Sequence, residues 1–238
     1  MVIKSINTLW YNKLGMKKNV SKALLVLLVA ILSITFAYSN KNLSKEEVSK
    51  LKPDELKNAA EHGNPDAQLN LGNNYDIGIN VVKDSSEAIK WWLKSAEQGN
   101  ADAQLRLGLA YDIGAVIAKD LSESVKWYRK SAEHGNADAQ YLLGLALAVG
   151  KGIEKNLREA VIWYRKAAEQ GNADAQFILG LVNVDGEGTT KDFVEAYKWL
   201  NLASLNNPKA LEIRNDLEKI LTPQQREEGQ RLAREWQE

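Results

Sequence analysis

The chain has 238 residues, 31 basic and 31 acidic side chains and no cysteine, a composition consistent with an ordinary soluble domain. The missing thiols exclude disulfides, a lipid-modified cysteine, thiol catalysis and thiolate metal sites. Five lysines and no acid fall in the first 39 residues, so the other 26 basic groups face 31 acidic ones, a balance of about −5 that argues against a nucleic-acid partner.

From the N-terminus, Met16-Lys17-Lys18-Asn19-Val20-Ser21-Lys22 is a basic lead, and Ala23 to Ala37 is apolar apart from Ser33 and Thr35. Ala37-Tyr38-Ser39 then places small residues three and one before a cleavage point after Ser39. This is the order of a secretory signal peptide, so residues 1–39 are read as an extension and leader, with Met16 an alternative start. The expected location is periplasmic or secreted. An uncleaved anchor is the alternative, and would be the chain's one route to a membrane. Its fifteen apolar residues would reach only about 22 Å of a hydrocarbon core roughly 30 Å thick.

Residues 40–59 read as a leading helical half-repeat, with Ser44-Lys45-Glu46-Glu47 as its cap. Residues 60–204 carry a strict period: Trp91, Trp127, Trp163 and Trp199 stand 36 residues apart without an insertion. The Asp-Ala-Gln triplets and Gly72, Gly108, Gly144 and Gly180 keep the same register. A fixed period of this length marks stacked copies of one supersecondary unit. In each copy a first helix starts at an Asn cap such as Asn64, places Gln68, Leu71, Gly72 and Tyr75 on one face and ends at Gly78. A second starts at Asp84, with Glu87 at capping-box spacing, and carries the stripe Ala88, Trp91, Trp92, Ser95, Ala96. Asp120, Asn156 and Asp192 repeat that cap. Val116 stands where a loop glycine occurs at Gly152 and Gly188, so the second loop should take a different path, whereas Asn80 tolerates positive φ. Residues 205–238 supply two capping helices.

The pattern Asp-Ala-Gln…Leu-Gly…Tyr…Gly…Lys-Asp…Glu-Ala…Trp-Tyr…Lys-Ala-Ala-Glu-Gln-Gly-Asn resembles the Sel1-like repeat, a relative of the tetratricopeptide repeat. The resemblance implies an all-α, right-handed αα-hairpin solenoid whose members act as adaptors in protein complexes. No cofactor or metal is implied.

Several motifs invite a chemical reading. His62 and His134 share one repeat position with Gln98 and Gln170, which points to a helix-terminal role. Asn183-Val184-Asp185-Gly186-Glu187-Gly188 has the alternation of a calcium loop, but its twelfth position is Val194 rather than Glu. The aspartates at 66, 102, 138 and 174 either complement helix dipoles or select a basic partner. Lys90, Lys94, Lys126, Arg129 and Arg165 read as a solvated face. An envelope hydrolase of the β-lactamase or penicillin-binding type is the rival reading, but the cysteines of the members linked to that activity are absent, and Ser44 and Ser122 are followed three residues later by Glu47 and Val125 rather than by the lysine of a Ser-x-x-Lys nucleophile.

The candidate binding surface comes from positions that differ between copies. If the first helices line a concave face, their fifth positions are Leu69, Leu105, Tyr141 and Phe177 and their ninth are Asn73, Leu109, Leu145 and Leu181. That row would hold a protein or peptide partner in a groove growing more apolar toward the C-terminal half. The alternative is that these side chains pack against neighbouring helices.

Overall fold

The computed structural model describes residues 41–237, which leaves the expected leader outside the described residues. The described residues form twelve helices and no strand. Contacts divide the chain into two compact units, the first ending at Ala67 and the second starting at Gln68.

In the first unit, α1 (Lys45–Ser49) opens at Ser44, where Ser44 and Glu47 form the reciprocal box their spacing predicts. It is followed by α2 (Pro53–Glu61). Asn64 is fully buried. Its Oδ1 caps Ala67 N at 2.8 Å while its Nδ2 donates to Leu43 O at 2.8 Å, so one side chain starts a helix and holds the preceding segment.

The helix α3 (Pro65–Ile77) crosses into the second unit, where α4 (Ser85–Glu97) completes the first repeat. Three pairs follow at the predicted period: α5 (Ala101–Ile113) with α6 (Leu121–Glu133), α7 (Ala137–Val149) with α8 (Leu157–Glu169), and α9 (Ala173–Asp185) with α10 (Phe193–Ala203). From α4 onward each repeat helix packs on its neighbours in sequence, and α10 also contacts α11 (Pro208–Ile220) and α12 (Pro223–Gln237). This is an αα-hairpin solenoid. Asn100, Asn136 and Asn172 accept hydrogen bonds from the first-turn amides of α5, α7 and α9, as expected. The second helices keep only half of the expected capping box. Asp120 and Asn156 accept from Glu123 N and Glu159 N, but the Glu159 carboxylate turns to Arg129 and Trp163.

The core is a relay rather than one centre. One cluster joins Leu69, Ala88, Trp92, Leu107 and Trp127; the next joins Val125, Tyr128, Leu143, Leu147 and Tyr164. A third links Val161, Leu179, Trp199 and Ala233, and the last carries Tyr197 and Leu200 onto Leu217 and Leu221 of the cap. The helices approach closely at the conserved-register glycines. A Cβ on Gly72 would lie 2.5 Å from Trp92, on Gly108 2.5 Å from Tyr128 and on Gly144 2.6 Å from Tyr164. The partner of each glycine is therefore the residue after the 36-residue tryptophan. Leu147 and Asn183, which replace the tyrosines of the earlier copies, are 1% and 2% exposed, so helix packing survives both changes.

Candidate functional site

Repetition also fixes the polar ties between copies, and these absorb most of the residues that suggested chemistry. Gln104 and Gln140 are buried and donate to Ala96 O and Ala132 O, closing the end of the preceding helix. Their Oε1 atoms then accept from the next copy: His134 Nδ1 lies 2.9 Å from Gln104 and Gln170 Nε2 2.8 Å from Gln140. Since Gln104 Nε2 is already donating, its oxygen faces the histidine and Nδ1 carries the proton. Gln98 makes the same bond to Gln68 at 2.7 Å, which explains why Gln and His interchange there.

Two members of the aspartate ladder are similarly committed. Asn136 Nδ2 donates to Asp102 at 2.9 Å and Asn172 Nδ2 to Asp138 at 2.8 Å, so each tie joins a first helix to the cap of the next. Asn183, which opens the calcium-like segment, is 2% exposed and its Nδ2 donates to Leu179 O of its own helix at 2.7 Å.

The expected solvated basic face is only partly so. Lys90 and Lys126 are exposed and pair within their own helices with Glu87 and Glu123. Arg129 instead reaches Glu159 at 2.8 Å and Arg165 reaches Glu195 at 3.6 Å, each across one repeat junction. Arg129 beside Glu159 holds that carboxyl below its ordinary value. Lys94, Lys130 and Lys166 lie 3.9, 4.1 and 4.1 Å from the ring centres of Trp91, Trp127 and Trp163, covering the tryptophans with aliphatic stems and cationic heads.

The eight candidate groove residues fall into three groups. Leu69 is 5% exposed and belongs to the core. Asn73 is half-buried and its Oδ1 accepts from Trp92 Nε1 at 3.1 Å, which spends part of its polar capacity. Leu105, Leu109, Tyr141, Leu145, Phe177 and Leu181 are all half-buried. Five of these six lean on core clusters: Leu105, Leu109, Tyr141 and Leu145 on that of repeats two and three, and Phe177 on the C-terminal one. The Tyr141 ring sits 6.1 Å from that of Tyr164 at 45°. Burial, with the nearby Asp174 charge, raises its phenol above the ordinary value. Each such side chain thus has one side in the packing and another toward solvent.

Sequence reasoning missed the clefts at the repeat junctions. One of about 270 Å³ lies between repeats two and three, and one of about 190 Å³ between repeats one and two; Leu145 lines the first and Leu109 the second. Their lining positions are related by the 36-residue period. Only side-chain size across a junction sets such a cleft, and that depends on two copies at once. The departure at Val116 contributes as expected. Asn80 takes a φ of 60°, while Val116 does not enter the left-handed region and is exposed beside the smaller cleft.

Comparison with known proteins agrees with this architecture. Residues 65–100, 101–136, 137–172 and 173–208 each match the Sel1 repeat. A Sel1 repeat protein from Oxalobacter formigenes is 37% identical over 78% of this chain and 74% of its own, with a TM-score of 0.62. A protective antigen of uropathogenic Escherichia coli strains displaying an SLR fold is 35% identical over 77% of this chain, with a TM-score of 0.53. The chain spans 47% of that antigen's length. No curated protein matches.

Proposed function

Because the chain belongs to the Sel1 repeat family, a fold that typically mediates protein–protein interaction, we propose that it is an exported adaptor holding a peptide segment or partner helix along the first helices of its repeats. The observation that carries this reading is the row Leu105, Leu109, Tyr141, Leu145, Phe177 and Leu181, half-buried at two fixed positions of successive copies. A row of apolar side chains braced from behind loses little rotamer freedom when a partner covers it, and aromatic members give large contact area at low entropic cost. The groove reads as concave by its likeness to tetratricopeptide arrays. Four rows at helix spacings of 8 to 10 Å would span roughly 30 Å, room for about nine extended residues.

The test begins with capture of partners from envelope extracts and titration calorimetry of the captured peptide. Tyr141→Ala or Phe177→Ala should weaken binding by about 1 to 3 kcal/mol, with circular dichroism establishing that each variant is folded. Wild-type affinity in both would place recognition elsewhere. The basic, apolar and small-residue order of residues 16–39 supports export. Intact-mass measurement of the exported protein should find a species beginning after Ser39; retention of Ala23 to Ala37 would indicate a tethered adaptor.

A further inference from the structure

The cleft between repeats one and two carries two opposite charges that the protein leaves apart. Asp76, near the end of α3, and Arg106, in the middle of α5, both line it. Its walls are otherwise mostly apolar, formed chiefly by Ile89, Trp92, Leu109, Ala110 and Ile113. Asp76 is half-buried, and the one side chain its carboxylate meets among the described residues is Ser85, whose Oγ donates at a long 3.4 Å. The Arg106 side chain is exposed and makes no ion pair among the described residues. One repeat later the same positions are Asp112 and Leu142, and Lys151 stands in the place of Ala115. There Lys151 meets Asp112 at 2.7 Å, so that cleft closes its charge internally and the smaller one does not.

We infer that the smaller cleft binds an apolar α-amino acid as its zwitterion, with the ammonium on Asp76, the carboxylate on Arg106 and the aliphatic side chain against the apolar walls. An occupant that covers Asp76 strips water from its carboxylate, which is costly unless a cation comes with it. The position from which Lys151 neutralises Asp112 holds Ala115 here, so that cation has to arrive from outside. A guanidinium on the same lining favours a ligand that also carries a carboxylate, which its planar fork holds through two parallel hydrogen bonds. At about 190 Å³ the cleft is smaller than the roughly 300 Å³ and more of drug-sized sites, which suits one branched aliphatic side chain with its charged head. Leu109 belongs both to this cleft and to the proposed groove, but a free amino acid needs no partner segment, so the inference stands apart from the adaptor reading.

The experiment is an NMR titration of the full chain with L-leucine, read at the methyl groups of Ile89, Leu109 and Ile113. Leucinamide, which lacks the carboxylate, and N-acetyl-leucine, which lacks the ammonium, are titrated beside it. Saturable leucine binding is expected, with each truncated probe about threefold to fivefold weaker, the worth of one partly screened ion pair. Asp76→Asn should erase the preference over N-acetyl-leucine. Arg106→Leu installs the residue found at Leu142 and should erase the preference over leucinamide. Ala115→Lys installs the lysine of the next junction and should suppress leucine binding by neutralising Asp76 from within. No saturable shift at these methyls, equal affinity for leucine and either truncated probe, or a preference that survives its substitution overturns the site. Peptide binding that depends on Tyr141 and Phe177 is measured separately, so the amino-acid site and the groove can each fail alone.

Discussion

Gly108 has no room for a side chain. A Cβ there would stand 2.5 Å from the Tyr128 ring and 3.3 Å from Ser124 O, so neither the buried ring nor the backbone behind it can yield cheaply. Gly108→Ala should cost about 1 to 3 kcal/mol, as other overpacking changes do, and a urea melt would measure it. The same tyrosine makes stability pH-dependent. Burial, with the Asp112 charge as a smaller cause, pushes the Tyr128 phenol from 10.0 up to about 12. An acid whose folded value is raised contributes stability that is intact below its unfolded value and lost as pH rises through the folded one. Denaturation midpoints should therefore fall between about pH 10 and pH 12, and Tyr128→Phe should remove part of the slope; burial shifts Tyr164 in the same direction. An unchanged profile in Tyr128→Phe would locate the alkaline transition in other groups.

For the helices and loops, caps and close approaches decide what each element tolerates. Asp120 opens α6 and accepts from Glu123 N at 2.9 Å, so Asp120→Ala should cost about 1 kcal/mol, typical of a lost N-cap. The loop before α8 is more demanding. Gly152 has a φ of 73°, and a Cβ there would lie 2.3 Å from Leu121 O of the preceding copy. Gly152→Ala combines positive φ with a backbone clash and should cost at least about 2 kcal/mol. Thermal melts of the two alanine variants should rank Gly152→Ala as the more damaging. Val116, at the corresponding place one copy earlier, takes another backbone path because a β-branched residue disfavours that conformation.

Across the whole array, stability runs along a line because each cluster joins only adjacent copies and the cap. Trp127 is an interior member, 8% exposed, whereas Trp236 is half-buried on the terminal helix. Trp127→Ala should cost about 3 to 5 kcal/mol and Trp236→Ala less, since an interior loss interrupts the stack and a terminal loss shortens it. Equal losses in urea melts would contradict that arrangement. The Arg129–Glu159 tie, with side chains 33% and 31% exposed, is partly screened, and breaking it should matter far less than losing a tryptophan.

The 36-residue register was legible in the sequence because stacking identical units demands identical spacing. Every repeat cap could be read because a capping side chain acts on amides two or three residues away. Within α7, neighbouring residues differ little in composition, yet Leu143 is wholly buried while Leu145 is only half-buried and faces the cleft. The tertiary structure alone decided which side chains the next copy would cover. It also decided that Gln104 and His134 would meet and that Ser124 would line a cleft. These outcomes depend on the shape of two copies together, and one copy read along its own length contains only half of each contact.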